Sequence, residues 1–328
     1  MTTRKRILSG MRPTGPLHLG NYLGALANWV KLQDEYECFF FIADWHAITS
    51  DYENTAPISG HIRSMMIDWL SSGLSPEKSV LFVQSQVKEH AELFLLLSMI
   101  TPVPWLERNP TYKDQIVQLS NKDLSTFGFL GYPVLQAADI IMYKAYGVPV
   151  GMDQVPHIEI TREIARRFNF LYGEVFPEPR ALLTETPKIL GLDRRKMSKS
   201  YNNAIYLSDS PKEIAAKAAQ MITDPQRARK TDPGDPDVCN VFEFHKIYTD
   251  KDTTAGINRQ CRAAEIGCVA CKKIMAGNLI QALEPIREKQ AFYRDRPKLV
   301  DEIVMEGNEK ARAVARRTME EVRAAVKL

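Results

Sequence analysis

Two short stretches of this sequence carry residue types suited to holding phosphate. The first is GPLHLGN, residues 15–21, which sets His18, Gly20 and Asn21 between an apolar run and the helix-like segment Tyr22–Leu26. Free backbone N–H groups and the dipole at a helix start favour an anion. Glycine at position 20 lets a purine or ribose lie against the backbone, where a Cβ would intrude. The second is KMSKS, residues 196–200, with ammonium groups on Lys196 and Lys199, hydroxyls on Ser198 and Ser200, and Met197 between them. Such a loop can close on a triphosphate and supply cations where negative charge develops on a leaving pyrophosphate. The usual phosphate motifs, G-x-x-x-x-G-K-[ST] and G-x-G-x-x-G after a strand, are absent, which disfavours a P-loop NTPase and an ordinary dinucleotide dehydrogenase.

A third stretch, GYPVLQAADIIMY, reads as a helix with Tyr132, Gln136 and Asp139 at i, i+4 and i+7, so three polar groups share one face in apolar surroundings. A buried carboxylate needs a donor, and an indole N–H donates without presenting an acceptor. Four cysteines, Cys239, Cys261, Cys268 and Cys271, follow the spacing C-x21-C-x6-C-x2-C. Four thiolates can hold Zn²⁺ or a [4Fe-4S] cluster, and ligand count does not separate them. In a reducing cytoplasm, this grouping points to a metal rather than to disulfides. Cys38 stands alone in an apolar run and reads as a small buried hydrophobe.

These residues need a scaffold. Arg6–Gly10, Cys38–Ala43 and Ser79–Ser85 read as buried strands, separated by helical spacing such as His61–Leu70. Pro149–Gly151 and the helix His157–Phe168 resume that rhythm after a polar, helical insertion at about 105–130. Alternation of this kind implies a Rossmann-like, doubly wound parallel α/β sheet, with ligands outside the carboxyl ends of the strands. GPLHLGN follows the first of those strands. From Pro211 onward the pattern is helical, so residues 1–200 are expected to form the catalytic domain and 201–328 a C-terminal helical domain. The chain's 328 residues, 25% charged with a net charge of +3, exert no global pull toward nucleic acid or membrane, so any polyanion needs a local patch. The N-terminus lacks an apolar signal region and no stretch is long enough to span a bilayer, so a cytoplasmic protein is expected.

GPLHLGN and KMSKS, about 180 residues apart, resemble the two signatures of class I aminoacyl-tRNA synthetases. SGMRPTG (9–15), ADWHA (43–47) and VPVGMDQ (148–154) extend the resemblance, which is greatest to bacterial tryptophanyl-tRNA synthetases. It implies ATP with Mg²⁺, L-tryptophan and tRNA(Trp) as substrates, and a homodimer with the insertion near its interface. It assigns His18 and Asn21 to the phosphates, Gly20 to the nucleoside, and Arg12, Pro13 and Thr14 to the first-strand side of the ATP site. Lys196, Ser198 and Lys199, within the loop that includes Met197 and Ser200, would hold the β- and γ-phosphates. Gly151, Met152 and Asp153 would address ribose and adenine, although Glu is common in the family where Met152 stands. Asp139 would read the indole between Leu8, Val148 and Val150, with Gln154, Tyr132 and His46 near the amino and carboxylate groups.

The resemblance also covers the cysteines, since a subset of the family spaces four cysteines almost identically around a [4Fe-4S] cluster in an anticodon-binding helical domain. The first gap here is one residue shorter than in that subset. Gln136 occupies a position where methionine is common in tryptophan enzymes, and Tyr-x-x-x-Gln-x-x-Asp is also the pattern of tyrosyl-tRNA synthetases. Tyrosine is therefore the alternative substrate. A non-catalytic nucleic-acid-binding metalloprotein is the alternative of another class.

Overall fold

The computed structural model describes residues 4–118, 122–183 and 189–328, so part of the expected insertion, residues 119–121, lies outside the described residues. The chain forms two compact units, one of Met1–Gly15, Asn28–Glu185 and Arg296–Leu328, the other of Pro16–Ala27 and Thr186–Asp295. This division does not follow a single boundary near residue 200. The segment that opens with His18 groups with the later residues, and the last helix groups with the sheet.

The first unit is built on five parallel strands, β1 (Arg6–Met11), β2 (Glu37–Ile42), β3 (Ser79–Val83), β4 (Gly147–Val150) and β5 (Arg180–Leu183), in the order β3-β2-β1-β4-β5. The order reverses between β1 and β4, the switch point at which such sheets bind ligands. β2 shows why the strands form where they do. Its run Cys38–Ile42 is buried on both faces, as a central parallel strand must be. Phe40 stacks on Trp29 at 4.7 Å on one side, while Phe41 meets Phe82 at 5.6 Å and Phe39 meets Tyr143 at 4.9 Å on the other. Gly10 on β1 makes room for this packing, because a Cβ there would lie 2.5 Å from the Phe41 ring.

Residues expected as a third strand to Ser85 instead leave the sheet at Val83 and turn through a 3₁₀ segment, Gln84–Gln86. The helices Val103–Glu107 and Pro110–Gln118 occupy the expected insertion. Phe127–Met142 is a buried helix despite Pro133 in its interior. The helix Pro297–Val326 returns to the sheet and lies along β3, which is an edge strand. There the Asn308 carboxamide oxygen accepts from the Val83 N–H at 2.9 Å. Arg323 pairs with Glu92 at 2.6 Å and Lys144 with Glu321 at 2.6 Å. The second unit is helical, with Pro211–Gln220, Asn240–Tyr248, Lys251–Arg262 and the 27-residue Cys268–Arg294. Among the described residues, no helix is long and apolar enough to cross a membrane.

Candidate active site

His18 and Asn21 cap each other. The His18 Nδ1 accepts from the Asn21 backbone N–H at 3.2 Å, and the Asn21 side-chain oxygen accepts from the His18 backbone N–H at 3.2 Å. Burial first, then the charges of Lys199 and Lys196, push His18 down to about 4. The ring is therefore neutral at pH 7, and because Nδ1 accepts, its proton sits on Nε2, a donor suited to an anionic oxygen. Both lysines of KMSKS belong to the same compact unit as His18 and act on it electrostatically. Gly20 is where the two signatures meet, since a Cβ would stand 3.0 Å from the His18 ring and 3.6 Å from the Met197 Cβ.

The KMSKS loop is shaped by a residue the sequence did not single out. Asn203, almost fully buried, accepts from the Ser198 N–H at 2.8 Å and donates to Asp193 at 2.7 Å and to the Lys196 carbonyl at 3.3 Å. Gly191 faces it so closely that a Cβ would lie 2.2 Å from Asn203 Cγ. The Met197 side chain is buried, which anchors the loop and leaves Lys196 and Lys199 on either side of the anchor. Ser198 caps the 3₁₀ turn Lys199–Tyr201 by accepting from the Ser200 N–H. Asn202, in the left-handed region at φ 49°, ends that turn.

In the sheet unit, several of the expected site residues follow the carboxyl ends of three neighbouring strands. Arg12, Pro13 and Thr14 follow β1; His46 lies just beyond β2; Gly151, Met152, Asp153 and Gln154 follow β4. To these the structure adds Gln84, directly after β3. Arg12 donates to the Ser50 hydroxyl at 3.2 Å, and burial lowers its pKa although Asp51 and Tyr132 act the other way. Asp153 and Met152 are exposed, and Gln154 donates to Asp153 at 3.1 Å. A Cβ on Gly151 would lie 2.7 Å from the Asp153 carboxylate.

Asp139 is fully buried, as the helix reading requires, but its partners are not the other two residues of that face. Its oxygens accept from His46 Nε2 at 2.8 Å, from His90 Nδ1 at 2.6 Å, and from Gln84 Nε2 at 2.9 Å to each. Burial alone would raise its pKa, yet the hydrogen bonds and charge of His46 and His90 hold it below the ordinary value. Tyr132 instead faces His157, its hydroxyl 3.4 Å from Nε2, while Gln136 is half-buried. Leu8, Val148 and Val150 belong to the apolar core that includes Ala137, Ala138 and Ile141 beside Asp139 on the same helix.

His157 accepts at Nδ1 from the Asn109 amide at 3.2 Å, and burial, then His46, push it down to about 4. This gives a pH dependence. Unfolded histidine takes up its proton near pH 6.5 and folded His157 only near pH 4, so between those values the unfolded chain binds more protons and stability falls as acid is added. At about 1.4 kcal/mol per pH unit, His157 contributes a loss of roughly 3 kcal/mol by pH 4. Urea unfolding at pH 7 and pH 4.5 should show the loss, reduced in His157→Gln.

The four cysteines are free thiols in the helical unit. Cys239 precedes the helix Asn240–Tyr248, Cys261 lies in Lys251–Arg262, and Cys268 and Cys271 open Cys268–Arg294. Arg227 Nη1 donates to the sulfurs of Cys261 at 3.7 Å and Cys268 at 4.0 Å. Burial, then Cys239, Cys261 and Cys268, push the Cys271 thiol up to about 12, so the four sulfurs lie within electrostatic reach of one another. Gly234 admits this packing, as its Cβ would stand 2.7 Å from Cys261 Sγ. Among the described residues, no three His, Cys, Asp or Glu side chains are arranged to hold a metal ion.

Residues 1–284 match the family model described as tRNA synthetases class I (W and Y). A tryptophan--tRNA ligase of Thermotoga maritima is 55% identical over 325 residues, covering 98% of this chain and 99% of the relative. The tryptophan--tRNA ligase of Aquifex aeolicus is 51% identical over 393 residues, covering 98% and 100%. Among solved structures, a tryptophanyl-tRNA synthetase of Campylobacter jejuni complexed with ADP and tryptophan superposes with a TM-score of 0.91 at 34% identity, covering 98% of this chain and 100% of that one.

Proposed function

We infer the activity from family membership, for the chain belongs to the class I tRNA synthetases of the tryptophan and tyrosine group, and its relatives at 51% and 55% identity are tryptophan--tRNA ligases. It is a tryptophan--tRNA ligase, forming tryptophanyl-adenylate from ATP and L-tryptophan and then esterifying tRNA(Trp). The substrate carboxylate is already a competent nucleophile, so the protein's work is positioning and charge stabilisation rather than base catalysis. His18, through its Nε2 proton, Asn21 and the cations Lys196 and Lys199 address the phosphates. Arg12, Pro13, Thr14, Gly20, Gly151, Met152 and Asp153 serve the remainder of the ATP site, and Mg²⁺ accompanies ATP. Met197 is buried and serves as the anchor of its loop, with Ser198 and Ser200 forming the turn that presents Lys199.

The relatives at 51% and 55% identity favour tryptophan over tyrosine, and Asp139 is the acceptor proposed to meet the ring N–H. His46, His90 and Gln84 make four hydrogen bonds to its two oxygens and hold the carboxylate in one orientation, in which a ring N–H would share an oxygen with them. His46, held by Asp139, and Tyr132 and Gln154 orient the rest of the amino acid, with Leu8, Val148, Val150 and Gln136 around the ring. Pyrophosphate exchange into ATP, assayed with each amino acid in turn, should proceed with tryptophan. Exchange supported by tyrosine instead would overturn the assignment.

The four cysteines are proposed to hold a [4Fe-4S] cluster, with Zn²⁺ as the competing occupant. Arg227 supports an anionic tetrathiolate: its Nη1 lies on two sulfurs and its Nε is buried without a hydrogen-bond partner among the described residues. Anaerobically purified protein should absorb broadly near about 400 nm; a colourless protein containing zinc would exclude the cluster. The helical unit that carries them is assigned to anticodon binding, and a cytoplasmic location is part of the same reading. A homodimer with the insertion near its interface is part of the same reading, and the exposed apolar side chains of Val103, Ile116 and Phe127 support it.

A further inference from the structure

Behind Asp139 stands a set of buried polar groups that the reaction as described does not use. Gln84, His90 and Tyr143 are all fully buried, each on a different element: the turn after β3, the helix Glu89–Ser98, and the residue after Phe127–Met142. They form a directed chain. The Tyr143 hydroxyl lies 2.7 Å from His90 Nε2, and His90 Nδ1 lies 2.6 Å from Asp139 Oδ1. The imidazole is walled by the rings of Phe41, Phe82 and Tyr143, with centroids 6.3, 6.0 and 5.4 Å away, so it is held out of water where a hydrogen bond is electrostatically stronger. Gln84 donates to both Asp139 oxygens while its own Oε1 is buried with no hydrogen-bond partner among the described residues. A flipped amide would aim an oxygen at a carboxylate. The unpaired acceptor is thus the cost of keeping a donor on Asp139.

We infer that Gln84, His90 and Tyr143 are positioning residues that hold Asp139 as an aimed hydrogen-bond acceptor, and that they thereby set the preference for an amino acid carrying a ring N–H. This rests on the assignment of Asp139 to the indole. Groups that orient the ligands of a metal ion are commonly worth about 10–100-fold in affinity or activity, and the same scale is taken for groups that orient this carboxylate. Four hydrogen bonds from His46, His90 and Gln84 fix the orientation of the carboxylate, and with it the direction from which it receives a ring N–H. Loosening the support blurs that direction without altering the apolar walls.

The test uses the full chain in pyrophosphate exchange with two amino acids, L-tryptophan and L-3-(benzothiophen-3-yl)alanine, in which sulfur replaces the ring N–H. Wild type should prefer tryptophan in kcat/KM by roughly 10–100-fold, the range expected for a hydrogen bond to a charged group. Tyr143→Phe and His90→Leu should each reduce that ratio by about tenfold, and His90→Asn, which restores a donor in the Nδ1 position, should recover it. A purely structural role moves both amino acids together and leaves the ratio unchanged, which would overturn the inference. So would an unchanged ratio in folded Tyr143→Phe, the variant least able to disturb packing, should His90→Leu fail to fold. A wild type that treats the two amino acids alike refutes the Asp139 assignment itself, a distinct outcome.

Discussion

Replacing Lys199 by alanine should lower tryptophan-dependent pyrophosphate exchange by about 10²–10³-fold, the scale seen when one preorganised electrostatic group is removed from a developing charge. Lys199 and Lys196 lie on either side of the buried Met197 anchor and both act on the His18 ring. Because negative charge on the pyrophosphate grows toward the transition state, the loss should fall mainly on kcat, with a smaller change in the KM for ATP. Lys199→Arg should recover part of the rate. The melting temperature should stay near that of the parent, since the loop's fold depends on Asn203, Gly191 and Met197. An exchange rate unaffected by the substitution would remove the loop from the mechanism.

Gly307→Val carries the largest expected effect on stability. A Cβ at this position of the Pro297–Val326 helix would lie 1.7 Å from the Leu81 carbonyl oxygen, a backbone atom of β3 that cannot swing aside. The clash can be relieved only by lifting the helix from the strand. That would also part Asn308 from the Val83 N–H and leave a buried backbone donor unpaired. Overpacking costs of about 1–3 kcal/mol and an orphaned buried donor at about 1–3 kcal/mol together consume much of a stability of ~5–15 kcal/mol. Chemical denaturation should show a midpoint shift of that size or no folded protein. A variant as stable as the parent would mean that the helix does not seat on β3.

Much of the site-bearing sheet was legible because strands buried on both faces are written as continuous apolar runs, as in Phe39–Phe41. β5 was not: in Arg180–Leu183 two half-buried residues lie between two exposed ones, and the first side chain lies over the Tyr146 ring. The amphipathic spacing of Pro297–Val326 announces a buried face but not its partner, so the helix's return to β3 could not be read from its own residues. GPLHLGN and KMSKS were legible because their chemistry is local. The donors to Asp139 were not, because Gln84 and His90 lie some fifty residues from it in the chain and nothing in their neighbourhoods marks them. One weak signal existed: Gln84 lies at the carboxyl end of the expected strand Ser79–Ser85, where such sheets place ligand-facing groups. Tyr132, Gln136 and Asp139 were rightly placed on one helix, but helical spacing cannot tell that Tyr132 turns to His157 and Asp139 to two other histidines.

The seating of residues 297–326 against β3 has a consequence for the newborn chain. On the ribosome, β3 is made more than two hundred residues before the helix that shields its outer edge, and Thr186–Asp295 of the helical unit emerges in between. At about 5–20 residues per second, that edge stays open for some tens of seconds, with Leu81, Phe82 and Val83 available to pair with a neighbouring nascent strand.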